Sequence, residues 1–509
     1  MPRYGYDRLT ALDHSFLLFE KPNSYMHVAS TQIFESGPLR TRDGGIDAEA
    51  IKRATAASLH LIPRYRQKLA YVPLEGRPVW IDDAQFNVDY HIRHTSLPRP
   101  GSVEQLKRLS ARVMQQHLDR ARPLWEIWIV EGLEGDRFAL ISKVHHCMVD
   151  GVSGVDLLRI LFSASPDAEI PEAPLFVPRP APSGLELLRD EVLRRVALPL
   201  GAIRDLGNLA REARDTRREL VFRLRAAAET LGATFQSASP TPLNRAIGPH
   251  RRFDWLSMDL AEIKDVRKAL GGSLNDIVLT VVTGAVRRFL ERRQRNPKEI
   301  EFRVLAPVSV RAKEEEGALG NRVSAWLIEL PIGEPDPRVQ LERISRRTAE
   351  LKDSKQAVGA ELLTQAAEWT PSTLLALGAR NATRLLPFNM VVTNVPGPQL
   401  PMYLLGAKML EVYPHVPLVD QLGLGVALLS YNGKLGWGFN ADYDLVPDLD
   451  TFVEATCAAF AELRGIAAGL VTAPRRPPEA EPRAGAGPKS PRVRRARKAP
   501  ARATDDASG

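Results

Sequence analysis

The sequence predicts an α/β fold built in two halves, and three observations carry that expectation. Apolar, β-prone runs of strand length alternate with stretches of helical periodicity. Two proline-rich segments, PEAPLFVPRPAPSG and SPTPLNRAIGP, interrupt this alternation between residues 166 and 250. The chain has 509 residues, and single cores stop growing beyond roughly 250–300 residues.

In the first half (1–165), Met26–Phe34 reads as a strand and Ala48–Leu61 as a helix. Trp125–Val130 and Phe138–Val144 (FALISKV) read as strands, the second of them buried. Val152–Phe162 then returns to helical spacing. The crossover (166–250) places Leu185, Leu188, Val192 and Val196 at helical spacing among arginines. In the second half (251–470), Ser273 is a candidate N-cap for a helix over Asn275–Phe289. Phe388–Thr393, Val426–Ser430 and Leu435–Asn440 read as strands, and Leu449–Leu463 as a closing helix. Residues 471–509 form a tail rich in Pro, Ala, Gly and Arg without an aromatic residue. That composition cannot bury a core, so disorder is expected there.

Composition narrows the class. A hydrophobic content of 44% is ordinary for a soluble globular chain. Two cysteines, Cys147 and Cys457, make no disulfide framework and suggest a reducing, cytoplasmic compartment. The N-terminus lacks a signal-peptide core, because the apolar run Phe16–Phe19 is only four residues. No run of 18 apolar residues could span a bilayer. Membrane contact is therefore expected to be peripheral, on the inner face of the plasma membrane or on lipid inclusions. From residue 473 onward ten Lys/Arg stand against four acids, so +6 of the chain's net +8 lies in the tail. With no stacking aromatic and no nucleic-acid motif before it, the tail suits anionic lipid headgroups better than nucleic acid. A solvated tail without a partner is the other reading. Residues 185–230 carry ten arginines, no lysine and eight acids. A helix pair lying on a bilayer and an apolar stripe packed against the two halves both fit.

The chemistry is concentrated in His145-His146-Cys147-Met148-Val149-Asp150-Gly151, an HHxxxDG sequence at the end of a strand. Strand residues alternate faces, so the two histidines are expected to point apart, one toward a cavity. Histidine titrates near neutral pH, which suits general-base work in acyl transfer. His146 is the candidate base and His145 a supporting residue. Asp150 reads as a loop-holding residue, and Gly151 as a position where a side chain would block close approach. Satisfied core histidines are the bland alternative. Zinc is disfavoured, because adjacent histidines chelate poorly and no cysteine cluster helps. Cys147 reads as a packing residue, since no third group is evident to orient a Cys–His pair.

HHxxxDG resembles the signature of the superfamily of chloramphenicol acetyltransferase, nonribosomal peptide condensation domains and bacterial wax ester synthase/acyl-CoA:diacylglycerol acyltransferases. Further segments resemble the last family: Leu9–Glu20 with Tyr25-Met26-His27-Val28, Pro63–Leu69, Pro123-Leu124-Trp125, Asn275-Asp276 and Asn394-Val395-Pro396-Gly397-Pro398. Pro307–Arg311 and Gly320-Asn321 also fit.

The resemblance implies two chloramphenicol acetyltransferase-like sandwich halves with the active site between them. It implies transfer of a long-chain acyl group from acyl-CoA to diacylglycerol or a long-chain alcohol, with no cofactor and acyl-CoA as substrate. His146 would take the proton from the attacking hydroxyl. Asn275, Asp276, Asn394, Pro123, Leu124 and Trp125 would bind substrate or line the site. For Asn275 a place at a helix N-terminus, and for Asn394 a plain turn, are the structural alternatives. The wider superfamily pairs the motif aspartate with an N-terminal arginine, which makes Arg66 the expected partner of Asp150 and Arg64 the second candidate. A surface arginine at a helix end is the alternative for Arg66. Two other classes stay open: a condensation-type enzyme with a carrier-bound donor, and a non-catalytic lipid binder.

Overall fold

Phe138–Val144 is apolar at nearly every position because the strand it forms is covered on both faces. In a computed structural model of the chain, the described residues are 5–149, 154–167, 169, 172, 174–196, 238–309, 323–353 and 386–472. Asp150, Gly151, Arg311, Gly320, Asn321, the crossover beyond 196 and the tail from 473 lie outside them.

Fifteen strands form three sheets among the described residues. In chain order they are β1 (Tyr6–Arg8), β2 (His27–Glu35), β3 (Gln67–Tyr71), β4 (Pro78–Asp82), β5 (Ile92–Ser96), β6 (Trp125–Leu133) and β7 (Arg137–His145). There follow β8 (Arg251–Asp259), β9 (Phe302–Ser309), β10 (Val323–Leu330), β11 (Met390–Pro396), β12 (Tyr403–Leu404), β13 (Ala407–His415), β14 (Leu424–Tyr431) and β15 (Lys434–Asp442). The first large sheet runs β12-β13-β2-β7-β6-β5, and the second β10-β9-β11-β14-β15-β8. A small sheet, β1-β4-β3, stands apart. β5 with β6, and β11 with both β9 and β14, pair in parallel; the remaining pairs are antiparallel.

Helices cover the sheets. Leu274–Arg292 is apolar almost all round and is buried between the second sheet and the helix Leu449–Thr472. Phe289, Phe439 and Phe452 meet there edge to face. Ser273 caps this helix, as the sequence predicts, and does so in a reciprocal box with Asp276 that goes beyond that prediction; the helix extends one residue earlier and three later than the expected span. Among the described residues no single helix is long and apolar enough to cross a membrane. The pair Leu260–Leu270 and Leu274–Arg292 passes by length and composition, but it is bent by 95°.

The chain does not divide as cleanly as 1–165 and 251–470. Residues 403–415, from the second half, complete the first sheet, with β13 antiparallel to β2 along Met409–His415. A period-two pattern marks a strand but not the sheet it joins. The two sheets also approach closely. A Cβ on Gly436 would lie 2.2 Å from the carbonyl oxygen of Val412, and one on Gly438 1.8 Å from that of Pro414. These glycines belong to the Leu435-Gly436-Trp437-Gly438 run and let β15 press against the β13 backbone. β11 runs through Pro396, so Asn394 is a strand residue paired with Leu428 and not the turn that Pro and Gly suggest.

Candidate functional site

β7 ends at His145, and two backbone hydrogen bonds fix the chain at this point. His145 N–H donates to Leu124 O at 2.9 Å, and His146 N–H donates to Met26 O at 2.7 Å. The motif is therefore held from both sides, by the residue before β6 and the residue before β2. His146-Cys147-Met148 then makes one tight turn. In this turn the histidines diverge, as the sequence predicts.

His145 is buried and turned inward. Its Nδ1 accepts from Cys147 N–H at 3.1 Å, which leaves the ring proton on Nε2. Nε2 stands 3.1 Å from Glu20 Oε1, off the line of a well-aligned hydrogen bond, so the attraction is chiefly electrostatic. Glu20 also accepts from Met26 N–H at 3.0 Å and pairs with Arg120 at 2.6 Å. His27, opposite His145 across β2 and β7, brings its Nε2 to 3.7 Å from the same carboxylate. Burial opposes the Glu20 charge, but His145, Arg120 and His27 hold the carboxyl well below the usual range. Burial and Lys143 hold His27 well below the ordinary histidine value.

His146 is half-buried and stacks on Phe16, ring centroids 3.8 Å apart. Desolvation, with a smaller contribution from His145, lowers its pKa to about 4, while its own backbone carbonyl acts the other way. The ring is therefore neutral at pH 7, with a lone pair available to take a proton. Cys147 is sealed in the core, and burial together with Asp13 and Glu20 pushes its thiol well up. It is a packing residue and no nucleophile.

The remaining expected site residues fall into different places. Leu124 and Trp125 sit in the core: Trp125 Nε1–H donates to Tyr65 O at 2.7 Å, and its ring stacks on His91. The segment acts on the site through the Leu124 carbonyl that anchors His145. Pro123, also buried, supplies the carbonyl that turns the chain into β6. Asp276 is spent on structure, accepting from Ser273 N–H at 2.7 Å and from Thr348 Oγ1 at 2.7 Å. Asn275 and Asn394 are half-buried on the second sheet's side, and neither hydrogen-bonds to a motif histidine. Arg66 lies 4.2 Å over the Phe176 ring, with Asp82 the carboxylate that acts on it, and lines a cavity of about 420 Å³ with Gln67 and Arg179. Its expected pairing with Asp150 falls outside the described residues, as does Gly151.

Sequence reasoning misses Glu20, His27, Phe16 and Arg120 as members of the site. Glu20 and His27 belong to segments that carry the resemblance, but the contacts that bring them to Arg120 and His145 cross a hundred residues or more of chain. The segment after Glu20 is also tied to the end of the crossover and to the second half. Lys21 pairs with Asp420 at 2.8 Å, Asn23 donates to Ile247 O at 3.1 Å, and Ser24 donates to Leu418 O at 2.9 Å. The histidine motif thus lies beside the seam between the halves.

Residues 9–278 match the family model described as the wax ester synthase/diacylglycerol acyltransferase catalytic domain, and residues 319–464 match its C-terminal domain. A Mycobacterium tuberculosis protein provisionally named a diacylglycerol O-acyltransferase is 32% identical over 466 residues, 88% of this chain and 89% of that protein. Another from the same organism, named a probable diacylglycerol O-acyltransferase, is 31% identical over 464 residues, covering 90% and 96%. The solved wax ester synthase/diacylglycerol acyltransferase of Marinobacter aquaeolei is similar at TM-score 0.63 and 27% identity, over 91% of this chain and 100% of that one. A condensation domain of the calcium-dependent antibiotic synthetase, 14% identical at TM-score 0.55 over 91% and 97%, shares the fold.

Proposed function

Because this chain belongs to the wax ester synthase/diacylglycerol acyltransferase family, we propose that it transfers a long-chain acyl group from acyl-CoA to diacylglycerol, to a long-chain alcohol, or to both, with His146 as general base. The observation that carries the assignment of the base is the neutral, half-buried His146 ring, held on a fixed turn against Phe16.

The neutral ring accepts the proton of the acceptor hydroxyl as its oxygen bonds to the thioester carbonyl carbon. The carbonyl oxygen takes up the negative charge. When it re-forms the double bond, the carbon–sulfur bond breaks and the departing thiolate takes the proton from His146. One ester and one free thiol result, and the histidine ends neutral. A base buried to this degree resists protonation in the ground state, so developing charge elsewhere in the transition state must stabilise the imidazolium. His145 and Glu20 lie behind the turn and position it without touching the reacting atoms. Asn275 is the candidate for the polar group that the second half contributes.

The test is thiol release and ester formation from palmitoyl-CoA with hexadecanol or dioleoylglycerol, comparing wild type with His146→Ala. Acceptor-dependent release that the folded variant loses supports the reading. Equal release by the two proteins, or none by the wild type, overturns it.

A further inference from the structure

The backbone of the histidine motif is pinned, but the His146 ring is not held by the usual means. Hydrogen bonds from His145 N–H and His146 N–H fix the turn and leave the side-chain torsions of His146 to be set. A general-base histidine is ordinarily oriented by an acceptor on its second ring nitrogen. Here the neighbouring carboxylate, Glu20, faces His145 instead, 3.1 Å from its Nε2. His146 Nδ1 is buried, and among the described residues no other residue hydrogen-bonds to it. Its own backbone carbonyl is the acceptor that acts on the ring.

Phe16 supplies what the hydrogen bonds do not. The two rings lie 3.8 Å apart at their centroids and 28° from parallel. At that separation, rotation of the imidazole about its last torsion would drive a ring edge into the benzene face, so the stack removes most of that freedom. Phe16 is itself set firmly, on the helix Ala11–Phe19. Thr10 caps the first turn of this helix, its Oγ1 accepting from Asp13 N–H at 3.1 Å. Arg120 holds the last turn, donating to Leu17 O at 3.2 Å and pairing with Glu20 at the C-cap. Ala11, His14 and Leu17 are buried on the helix, and Phe16 stands half-buried at the edge of the same core. One helix thus carries both supports, Glu20 for His145 and Phe16 for His146.

We propose that Phe16 is the positioning residue of the acyl-transfer base, its ring holding the His146 imidazole in the reactive plane where a carboxylate would otherwise do so by hydrogen bonding. The inference rests on the reading of His146 as the base. A stack fixes the plane of the ring without setting a negative charge beside it, whereas a carboxylate partner would favour the imidazolium. The same contact keeps water from one face of the ring and so contributes to the burial that holds it neutral. Around the turn, Asp13, Glu20, Arg64 and Arg120 act on Cys147, and His145 acts on the His146 ring. Removing the Phe16 ring therefore changes the burial and the plane of the imidazole and none of its charged neighbours.

The full chain is assayed for thiol release from palmitoyl-CoA with hexadecanol and with dioleoylglycerol, as wild type, Phe16→Leu, Phe16→Met, Phe16→Tyr, Phe16→Ala and His146→Ala. Melting followed by circular dichroism checks the fold of each. Leucine and methionine keep the apolar bulk and lose the flat face, so kcat should fall about tenfold or more while KM for palmitoyl-CoA stays within about twofold. Phe16→Tyr keeps the face and should retain most of the wild-type kcat. Phe16→Ala admits water to the ring, so the acid inflection of kcat/KM should move up from about 4 toward 6.5, which a residue that merely packed the helix would not cause. Unchanged kcat in folded Phe16→Leu and Phe16→Met overturns the proposal. So does a Phe16→Tyr variant no better than Phe16→Leu, or a loss confined to KM, which would make Phe16 a wall of the substrate site. Wild-type turnover in His146→Ala, or none in the wild type, overturns the base reading and the proposal with it. Loss in His146→Ala beside full activity in Phe16→Leu overturns the proposal alone.

Discussion

Glu20 is the residue whose removal should separate positioning from chemistry. Its carboxylate accepts from the buried Met26 N–H at 3.0 Å, faces His145 Nε2 at 3.1 Å without an aligned hydrogen bond, and pairs with the partly exposed Arg120. In Glu20→Ala the guanidinium can rehydrate, but the Met26 N–H loses its acceptor and the His145 ring its electrostatic partner. At about 1–3 kcal/mol for a stranded buried donor, the variant should lose about 1–3 kcal/mol of stability through the Met26 amide. Glu20→Gln keeps an acceptor oxygen and loses mainly the Arg120 ion pair, so it should cost about 1 kcal/mol. The sign with pH comes from the depressed carboxyl. The charge-dependent difference between wild type and Glu20→Gln is full above the ordinary carboxylate pKa, and it narrows as pH falls through the lower, folded value. Urea unfolding followed by tryptophan fluorescence measures the stabilities, and thiol release measures turnover. A Glu20→Ala protein as stable and as active as wild type would refute the reasoning. Equal damage from Gln and Ala would show that the charge matters and the acceptor oxygen does not.

Three further sites carry expected outcomes. His146→Ala should lower turnover by about 10²–10⁴-fold with little loss of stability, and wild-type kcat/KM should fall on the acid side with an inflection near pH 4; an inflection near 6.5 would mean that the base is not this desolvated ring. Because the folded pKa lies below the ordinary 6.5, folding stability should decline as pH drops from 6.5 toward 4, and His146→Ala should flatten that slope in urea titrations at stepped pH. Lys143, buried 2.7 Å from Glu126 and donating to the Val113 and Gln116 carbonyls, should cost about 3–5 kcal/mol as Lys143→Met, with much of that recovered in Lys143→Met/Glu126→Leu; a double variant no better than the single would contradict this. Gly438→Ala should destabilise by about 1–3 kcal/mol, because the new methyl meets the Pro414 carbonyl; calorimetry showing no change would mean that the sheets can separate freely.

Much of the scaffold is legible in the sequence because its strands are buried on both faces. Phe138–Val144 and Val426–Ser430 can hardly be read otherwise, and each lies inside a longer observed strand. The cap of Leu274–Arg292 is legible from Ser273, and the same geometry explains why Asp276 is unavailable to a substrate. The small sheet β1-β4-β3 escapes a reading by pattern, since its strands run only three to five residues and carry charges. The histidine motif announces the base, but the Glu20–His145 contact joins positions 125 residues apart, and no periodicity encodes such a meeting. Trp125 shows the converse: its motif draws attention to a site, whereas its side chain stabilises the core beneath one.

The strand exchange has a consequence for how the protein is made. β2 leaves the ribosome with one edge open, and the strand that closes that edge, β13, begins only at residue 407. At ordinary elongation rates of about 5–20 residues per second, the interval is on the order of 20–70 s. For that time the nascent first half presents the unpaired edge of His27–Glu35, apolar and mostly buried in the finished protein, to any other strand nearby. Expression of residues 1–165 alone should therefore yield aggregates, and co-expression with a segment carrying 403–415 should return part of the chain to solution. Chaperone dependence during synthesis is thus written into the topology, at an edge far from the site where the chemistry occurs.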